Sequence, residues 1–272
     1  MKAYDEVYLK GCIGLQTKVG TSLCARGMMC PKCESRRAQN RGNQLRKKLE
    51  AELMIAEESG WRRPDVGVLT MTLPGKRHWV RKASLQEQYD YVTERVTLPK
   101  ETGWHSMRGL NKLLSNLGVH GGCHNVEFTW NEEKGWWNTH VHSLVIGYGL
   151  RDYVTPEGEE YVGPFTKAGL PETTKIQEDI EAVGWEQKHV TGRSNWRLDR
   201  LGFGSRYSLD WAEPHEYASM VKYSAKVAYM TKPVKAPKAK RGELVRFFLN
   251  SPRLSRPIGD WRRTFYVPSP DE

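Results

Sequence analysis

The chain has 272 residues, with 42 Lys and Arg against 32 Asp and Glu and a formal net charge of +10. No apolar run approaches the ~18 residues of a membrane span, no apolar segment of a signal peptide follows Met1, and the odd number of cysteines argues against a disulfide framework. We therefore expect a protein of the cytoplasm, without a membrane partner, that binds a polyanion, most often nucleic acid.

Four of the five cysteines lie within the first 33 residues, and Cys30 and Cys33 form a Cys-x-x-Cys pair. Such a pair presents two thiolates to one tetrahedral metal ion. Cys12 and Cys24 would complete a structural zinc site, since reduced thiols inside a cell favour a metal over a disulfide. Four unrelated thiols are the alternative interpretation.

The segment 34–58 is predicted to be a helix, because it lacks proline and contains one glycine. Its first half carries a basic run that suits either contacts to phosphate groups or a solvated helix face. The candidate nucleic-acid contacts in this run are Arg36, Arg37 and Arg41. We assign residues 1–60 to a cysteine-rich zinc segment followed by this helix.

The middle of the chain alternates strand and helix patterns. Strands are predicted at 66–73, 124–130, 138–146 and 206–211, and helices at 84–96, 103–117, 173–182 and 214–232. A short polar turn joins the second and third strands, which predicts a hairpin. The order of elements predicts an α+β fold with a central antiparallel sheet and flanking helices.

His140 and His142 are two residues apart on the predicted strand 138–146, so their side chains point to the same face of the sheet. Two imidazoles on one face can hold a divalent metal ion, whereas two partly buried polar residues on a strand are the alternative. Glu127 would lie beside both histidines if the hairpin register allows. Such a set would leave coordination positions open for a substrate.

In the predicted helix 214–232, Tyr217, Val221 and Ala225 form an apolar stripe at helical spacing. Tyr223 lies away from this stripe and next to Lys226, which follows three residues later. A tyrosine in this place does not fill the core beneath its own helix. A half-exposed tyrosine with an incidental lysine is the alternative.

The last part of the chain, 233–272, is predicted to be a basic, proline-containing linker followed by a tail. The tail contains several aromatic residues, which are too many for pure disorder and favour docking on the body.

Three motifs, in this order, resemble those of the HUH endonucleases, specifically the rolling-circle replication initiators of small single-stranded DNA phages and plasmids. The first is a hydrophobic strand with threonines at 69–73. The second is the pair His140 and His142, and the third is the later Tyr-x-x-Lys, here Tyr223 and Lys226. Conjugative relaxases of this superfamily place the tyrosine before the histidines. The resemblance assigns 61–232 to an HUH endonuclease domain.

This resemblance implies a ferredoxin- or RRM-like fold in which His140, His142 and Glu127 bind Mg²⁺ or Mn²⁺. Tyr223 would attack a phosphodiester, forming a 5′-phosphotyrosine and a free 3′-OH, with Lys226 supplying positive charge. The implied function is the nicking and rejoining of single-stranded origin DNA to start replication. The implied partners are single-stranded DNA or an origin hairpin, together with a host helicase and polymerase in the bacterial cytoplasm.

Two departures from the family pattern concern the second strand transfer. Ser219 occupies the place where single-tyrosine initiators often carry a Glu, and Val227 occupies the place of a second tyrosine. The candidates for the missing base of the second strand transfer are Glu216 and a second subunit. Lys222, directly before the tyrosine, is a further candidate contact to nucleic acid.

Two other functions remain open from the sequence. An HUH tyrosine transposase would share the chemistry but cut transposon-end hairpins. A non-enzymatic, zinc-containing nucleic-acid-binding protein would bind with steep salt dependence and form no covalent adduct.

Overall fold

The structure is a computed structural model that describes residues 31–75, 78–93, 106–173, 175–176, 188–189, 192–193, 198, 201–204, 206–228, 236–250 and 252–262. Cys12, Cys24 and Cys30 lie outside the described residues. Cys33 lies in a helix, but its side chain is also outside the described part. The zinc site therefore stays a prediction.

Helices flank a series of strands along the chain. The helices are α1 (Pro31–Glu58), α2 (Leu85–Thr93), α3 (Ser106–Asn116), α4 (Pro164–Lys167), α5 (Tyr217–Ala228) and α6 (Lys238–Leu249). The strands are β1 (Asp65–Thr72), β2 (Gly121–Asn131), β3 (Trp136–Gly147), β4 (Tyr153–Val154), β5 (Glu160–Tyr161), β6 (Lys175–Ile176), β7 (Lys188–His189), β8 (Gly192–Arg193), β9 (Arg206–Trp211) and β10 (Ser255–Pro257). Short 3-10 turns occupy Trp79–Lys82, Pro214–Glu216 and Gly259–Arg262.

The central sheet has six strands in the order β10-β2-β3-β1-β9-β8, and every neighbouring pair is antiparallel. The hairpin of β2 and β3 pairs without interruption from Gly121 and Ile146 to Asn131 and Trp136. The predicted α+β class with a central antiparallel sheet and flanking helices is thus confirmed.

One face of the sheet packs against α2, α3 and α6. Inward-pointing side chains of the strands, such as Leu69, Val141 and Phe128, meet Leu110 of α3 and Phe247 of α6 in one buried cluster. Burial of this apolar surface is the main stabilising contribution to the fold.

The opposite face is only partly apolar. At one end of the strands, Val68 and Leu144 pack under Leu49 of α1 and Val221 of α5. α5 contacts both α1 and the strands β1, β2 and β3. The other end of this face carries polar side chains.

Glu52 joins α1 to the end of the sheet. Its carboxylate lies 3.2 Å from His120 Nε2 and accepts hydrogen bonds from Tyr148 at 3.4 Å and Trp261 at 3.4 Å. Burial alone would raise the pKa of Glu52, but its contacts with His120, Trp261 and Tyr148 outweigh burial and lower that pKa. The ionised carboxylate therefore stabilises the docking of α1.

The segment predicted as linker and tail contributes to the body in its described part. α6 packs on the first face, and β10 pairs with β2 at the edge of the sheet. The helix predicted at 173–182 is wrong at 175–176, since these residues pair with 188–189 as strands. None of the helices in the described ranges is long and apolar enough to cross a membrane.

Candidate active site

The site lies on the face of the sheet that packs under α1 and α5, at the level where this face changes from apolar to polar. Along β3 this face carries His140 and His142 and then Leu144, because side chains alternate between faces. The neighbouring strand β1 changes at the same level, since Thr70 pairs with His142 and Val68 pairs with Leu144. The apolar half is covered by α1 and α5, and the polar half forms the candidate site.

His142 is fixed by two hydrogen bonds. Its Nε2 lies 3.0 Å from Oε2 of Glu127, and its Nδ1 lies 3.0 Å from the hydroxyl of Thr70. Only 7% of the residue is exposed, so the ring cannot turn without losing both bonds. The hairpin register explains why Glu127 reaches His142. Glu127 stands directly opposite His140, and His142 is the next residue of β3 on the same face.

His140 has a different environment. Its Nε2 lies 2.7 Å from the side-chain nitrogen of Asn138, whose oxygen accepts a hydrogen bond from Arg81. Because Arg81 fixes the amide, the NH₂ group of Asn138 donates to His140. Burial and the neighbouring His142 lower the pKa of His140 to about 4, outweighing the attraction of Glu127, so the ring is neutral at neutral pH.

Tyr223 stands on α5 beside these histidines. Its ring centroid lies 6.2 Å from that of His142, with the ring planes at 80°, an edge-to-face contact. Tyr223 is nevertheless 48% exposed. The side chain thus has one edge on the polar site and the other open to solvent.

A buried hydrogen bond fixes the helix that carries Tyr223. Asn125 of β2 stands directly opposite His142 in the sheet and is fully buried. Its side-chain nitrogen donates to the backbone oxygen of Ser224 at 3.0 Å. Because Ser224 follows Tyr223 in the helix, this bond holds the tyrosine beside His142.

The surroundings of Tyr223 disfavour its ionised form. Burial raises the pKa of the phenol, and the carboxylates of Glu127 and Asp210 raise it further. Asp210 belongs to β9, on the same face of the sheet, and accepts a hydrogen bond from Ser208 at 3.1 Å. In the protein alone the phenol is therefore protonated at neutral pH.

Two of the three predicted metal ligands fit a divalent ion. His142 Nε2 and Glu127 Oε2 are 3.0 Å apart, about the separation of two adjacent ligands on one octahedral ion with bonds of about 2.1 Å. The ring centroid of His140 lies 6.2 Å from that of His142, and its Nε2 is bound to Asn138. Within the described residues, no three His, Cys, Asp or Glu side chains are grouped closely enough to hold a metal ion.

The remaining predicted site residues lie further from this centre or outside the described part. The side chains of Lys226, Arg36 and Arg37 are outside the described part. Lys222 is exposed on α5. Arg41 is half-buried and lies beside the buried thiol of Cys123.

Glu216, considered as a substitute base, caps its own helix. Its carboxylate accepts a hydrogen bond from the backbone nitrogen of Glu213 at 3.0 Å, as in a capping box. Ser219 is exposed on the surface of α5.

Four residues of the site had no role in the sequence interpretation: Arg81, Asn125, Asn138 and Asp210. Asn125, Asn138 and Asp210 each follow the alternation of their strand onto the same face as the histidines, which is a signal that the sequence contains. Arg81 has no such signal, because it reaches Asn138 from a turn 57 residues away.

No protein family, curated protein or solved structure matches this chain. The interpretation of the site therefore rests on its geometry and chemistry.

Proposed function

We propose that this chain is an HUH-type endonuclease that nicks and rejoins single-stranded DNA, with Tyr223 as its nucleophile. The contact between the Tyr223 and His142 rings, 6.2 Å between centroids, is the observation that carries the proposal. It joins a solvent-accessible phenol to a histidine–carboxylate pair, which is the combination needed to attack a phosphodiester.

The reaction is a transesterification. The Tyr223 oxygen forms a bond to phosphorus, and the bond from phosphorus to the 3′ oxygen breaks. The phenol proton leaves to solvent through the exposed edge of the ring, and the leaving 3′ oxygen takes up a proton. Because no water is consumed, the 5′-phosphotyrosine keeps the bond energy, and the reverse reaction rejoins the strand.

The chain's own residues position and tune this step. Asn125 holds α5 against the sheet, and Thr70 and Glu127 fix His142 beneath the tyrosine. Since burial and two carboxylates raise the pKa of Tyr223, ionisation of the phenol requires added positive charge at the site.

His142 and Glu127 are the residues that would hold a divalent cation, Mg²⁺ or Mn²⁺. Bound there, the ion would polarise the scissile phosphate and offset the negative charge of the transition state. His140 is neutral and faces Asn138, and its part in the ligand set remains a prediction.

The biological role that fits this chemistry is the initiation of rolling-circle replication. A nick that leaves a free 3′-OH supplies a primer for a polymerase, and the covalent link retains the 5′ end for rejoining. A host helicase and polymerase are the partners that such a reaction requires. The net charge of +10 suits the polyanionic substrate.

The test is formation of a covalent adduct. The full-length protein is incubated with labelled single-stranded DNA and Mn²⁺, and a labelled band that survives denaturation is measured. We expect an adduct that disappears with a chelator and in the variant His142→Ala, while cut strands carry an extendable 3′-OH. DNA binding without any adduct, under Mg²⁺ or Mn²⁺, would contradict the proposal.

A further inference from the structure

A cleft of about 430 Å³ opens at the tip of the β2–β3 hairpin, outside the predicted site residues. Its walls combine indole rings with ammonium groups. The charged and aromatic residues of its lining are Trp130, Trp136, Trp137, Lys82, Lys134 and Lys240.

The indole rings form a supported but accessible platform. Trp137 is buried, and its Nε1 donates to Glu243 at 2.9 Å. Trp130 packs edge-to-face on Trp137 with centroids 5.1 Å apart. Trp130 and Trp136 are both only partly buried, so part of each ring is open to a ligand.

The lysines place positive charge around these rings. Lys240 Nζ lies 5.8 Å from the ring centroid of Trp130, and Lys134 Nζ lies 6.0 Å from that of Trp136. Lys240 pairs with Glu243 at 3.0 Å. Lys82 and Lys134 are exposed, and neither forms an ion pair with any residue in the described ranges.

The cleft is connected to the candidate site by β3. Trp136, Asn138, His140 and His142 occupy alternate positions of this strand, so all four point to the same face of the sheet. Trp136 is four residues from His140, or about 14 Å along the strand. Arg81, which binds Asn138, directly precedes Lys82. Trp130 and Trp137 stand opposite each other in the hairpin and belong to the other face of the sheet, on which α6 packs, so the cleft spans the tip of the hairpin. A short run of nucleotides can reach it from the site by passing Trp136 at this tip.

We infer that this aromatic–lysine cleft binds unpaired bases of the single-stranded nucleic acid that crosses the candidate site, an inference that rests on the proposed function. Indole faces stack on bases of any sequence, and lysines contact the flanking phosphates. Stacking needs exposed base faces, so the cleft selects a single strand over a duplex. Its role is to hold the strand on one side of the scissile phosphate.

The experiment measures the affinity of the full-length protein for labelled oligo(dT) by fluorescence anisotropy over a range of salt concentrations. Trp136→Ala should weaken binding by about 5- to 150-fold, since each stacked base contributes about 1–3 kcal/mol. Trp136→Phe, which keeps a ring, should fall between this variant and the wild type. The double variant Lys82→Ala, Lys134→Ala should reduce the slope of log K against log salt by about 1.4.

A matched control lies beyond the opposite end of β3. Lys167 Nζ sits 5.4 Å from the Tyr161 ring centroid, and the Tyr161 hydroxyl donates to Gly149 just after the strand. Tyr161→Ala removes a similar aromatic–lysine pair and should leave oligo(dT) affinity unchanged. Circular dichroism of each variant verifies folding.

Unchanged affinity in Trp136→Ala, or equal weakening by Tyr161→Ala, would overturn the inference. The adduct assay on the same proteins separates it from the proposed function. Binding that depends on Trp136 without any wild-type adduct would refute nicking alone. A wild-type adduct with oligo(dT) affinity unaffected by Trp136→Ala would refute the cleft alone.

Discussion

Substitution of each of two tyrosines in α5 distinguishes an effect on activity from an effect on stability. Tyr223 and Tyr217 lie six residues apart in one helix, and each can lose its hydroxyl by substitution with Phe. Tyr223 is the proposed nucleophile. Tyr217 is buried, and its hydroxyl donates to the backbone oxygen of Pro64 at 2.7 Å.

Tyr223→Phe should abolish the covalent adduct while leaving the fold intact. Removing a nucleophile lowers the rate by at least about 1000-fold. Because the Tyr223 ring is half exposed and its hydroxyl has no hydrogen-bond partner among the described residues, the free energy of unfolding should change by less than about 0.5 kcal/mol. DNA affinity should stay close to that of the wild type.

Tyr217→Phe should give the opposite result. It leaves the buried carbonyl of Pro64 without its donor, which costs about 1–2 kcal/mol of the free energy of unfolding. The corresponding decrease in Tm is roughly 2–8 °C for a protein of this size. Below that temperature the variant should form the adduct at nearly the wild-type rate.

The assays are adduct formation on denaturing gels and urea unfolding followed by circular dichroism. A retained adduct in Tyr223→Phe would refute the assignment of the nucleophile. Loss of the adduct in folded Tyr217→Phe would refute the distinction between the two tyrosines.

Two further predictions concern hydrogen bonds that support the site and the fold. Thr70→Val should lower the nicking rate about 10- to 100-fold, because His142 loses the bond that orients it. The control Thr93→Val, which removes a bond within α2, should leave the rate unchanged. An equal loss of rate in both variants would contradict the prediction. The lowered pKa of Glu52 means that its contribution to stability is present above its unfolded pKa of about 4.3 and is lost as pH falls through the folded-state pKa. In Glu52→Gln, Tm measured from neutral to acidic pH should therefore decrease less steeply than in the wild type, and parallel curves would contradict this.

The polar site could be predicted from strand alternation. On β1, valines give way to threonines, and on β3, histidines give way to Leu144 and Ile146 on the same face. Placing these changes side by side needs only the hairpin and one more antiparallel pairing. The sequence therefore predicts the face that carries the site, although it does not predict that Thr70 bonds His142.

Contacts between distant segments could not be predicted. Arg81 reaches Asn138 from a separate turn, and β10 pairs at the edge of the sheet from the tail, whose aromatic residues favour docking but do not indicate a strand. Arg41 lies beside the buried thiol of Cys123, which the basic run around it does not indicate, and its contact with nucleic acid stays a prediction. In each case tertiary packing determines where the residue or strand lies, and the local composition does not indicate it.

The most direct measurement identifies the residue that carries the DNA. Trypsin cleaves after Lys222 and Lys226, so Tyr223 falls in a four-residue peptide separate from those that contain Tyr217 and Tyr229. After adduct formation and nuclease digestion, mass spectrometry should find the nucleotide on this Tyr223 peptide. A nucleotide on the peptide of Tyr217 or Tyr229, or on no peptide at all, would contradict the proposed endonuclease site.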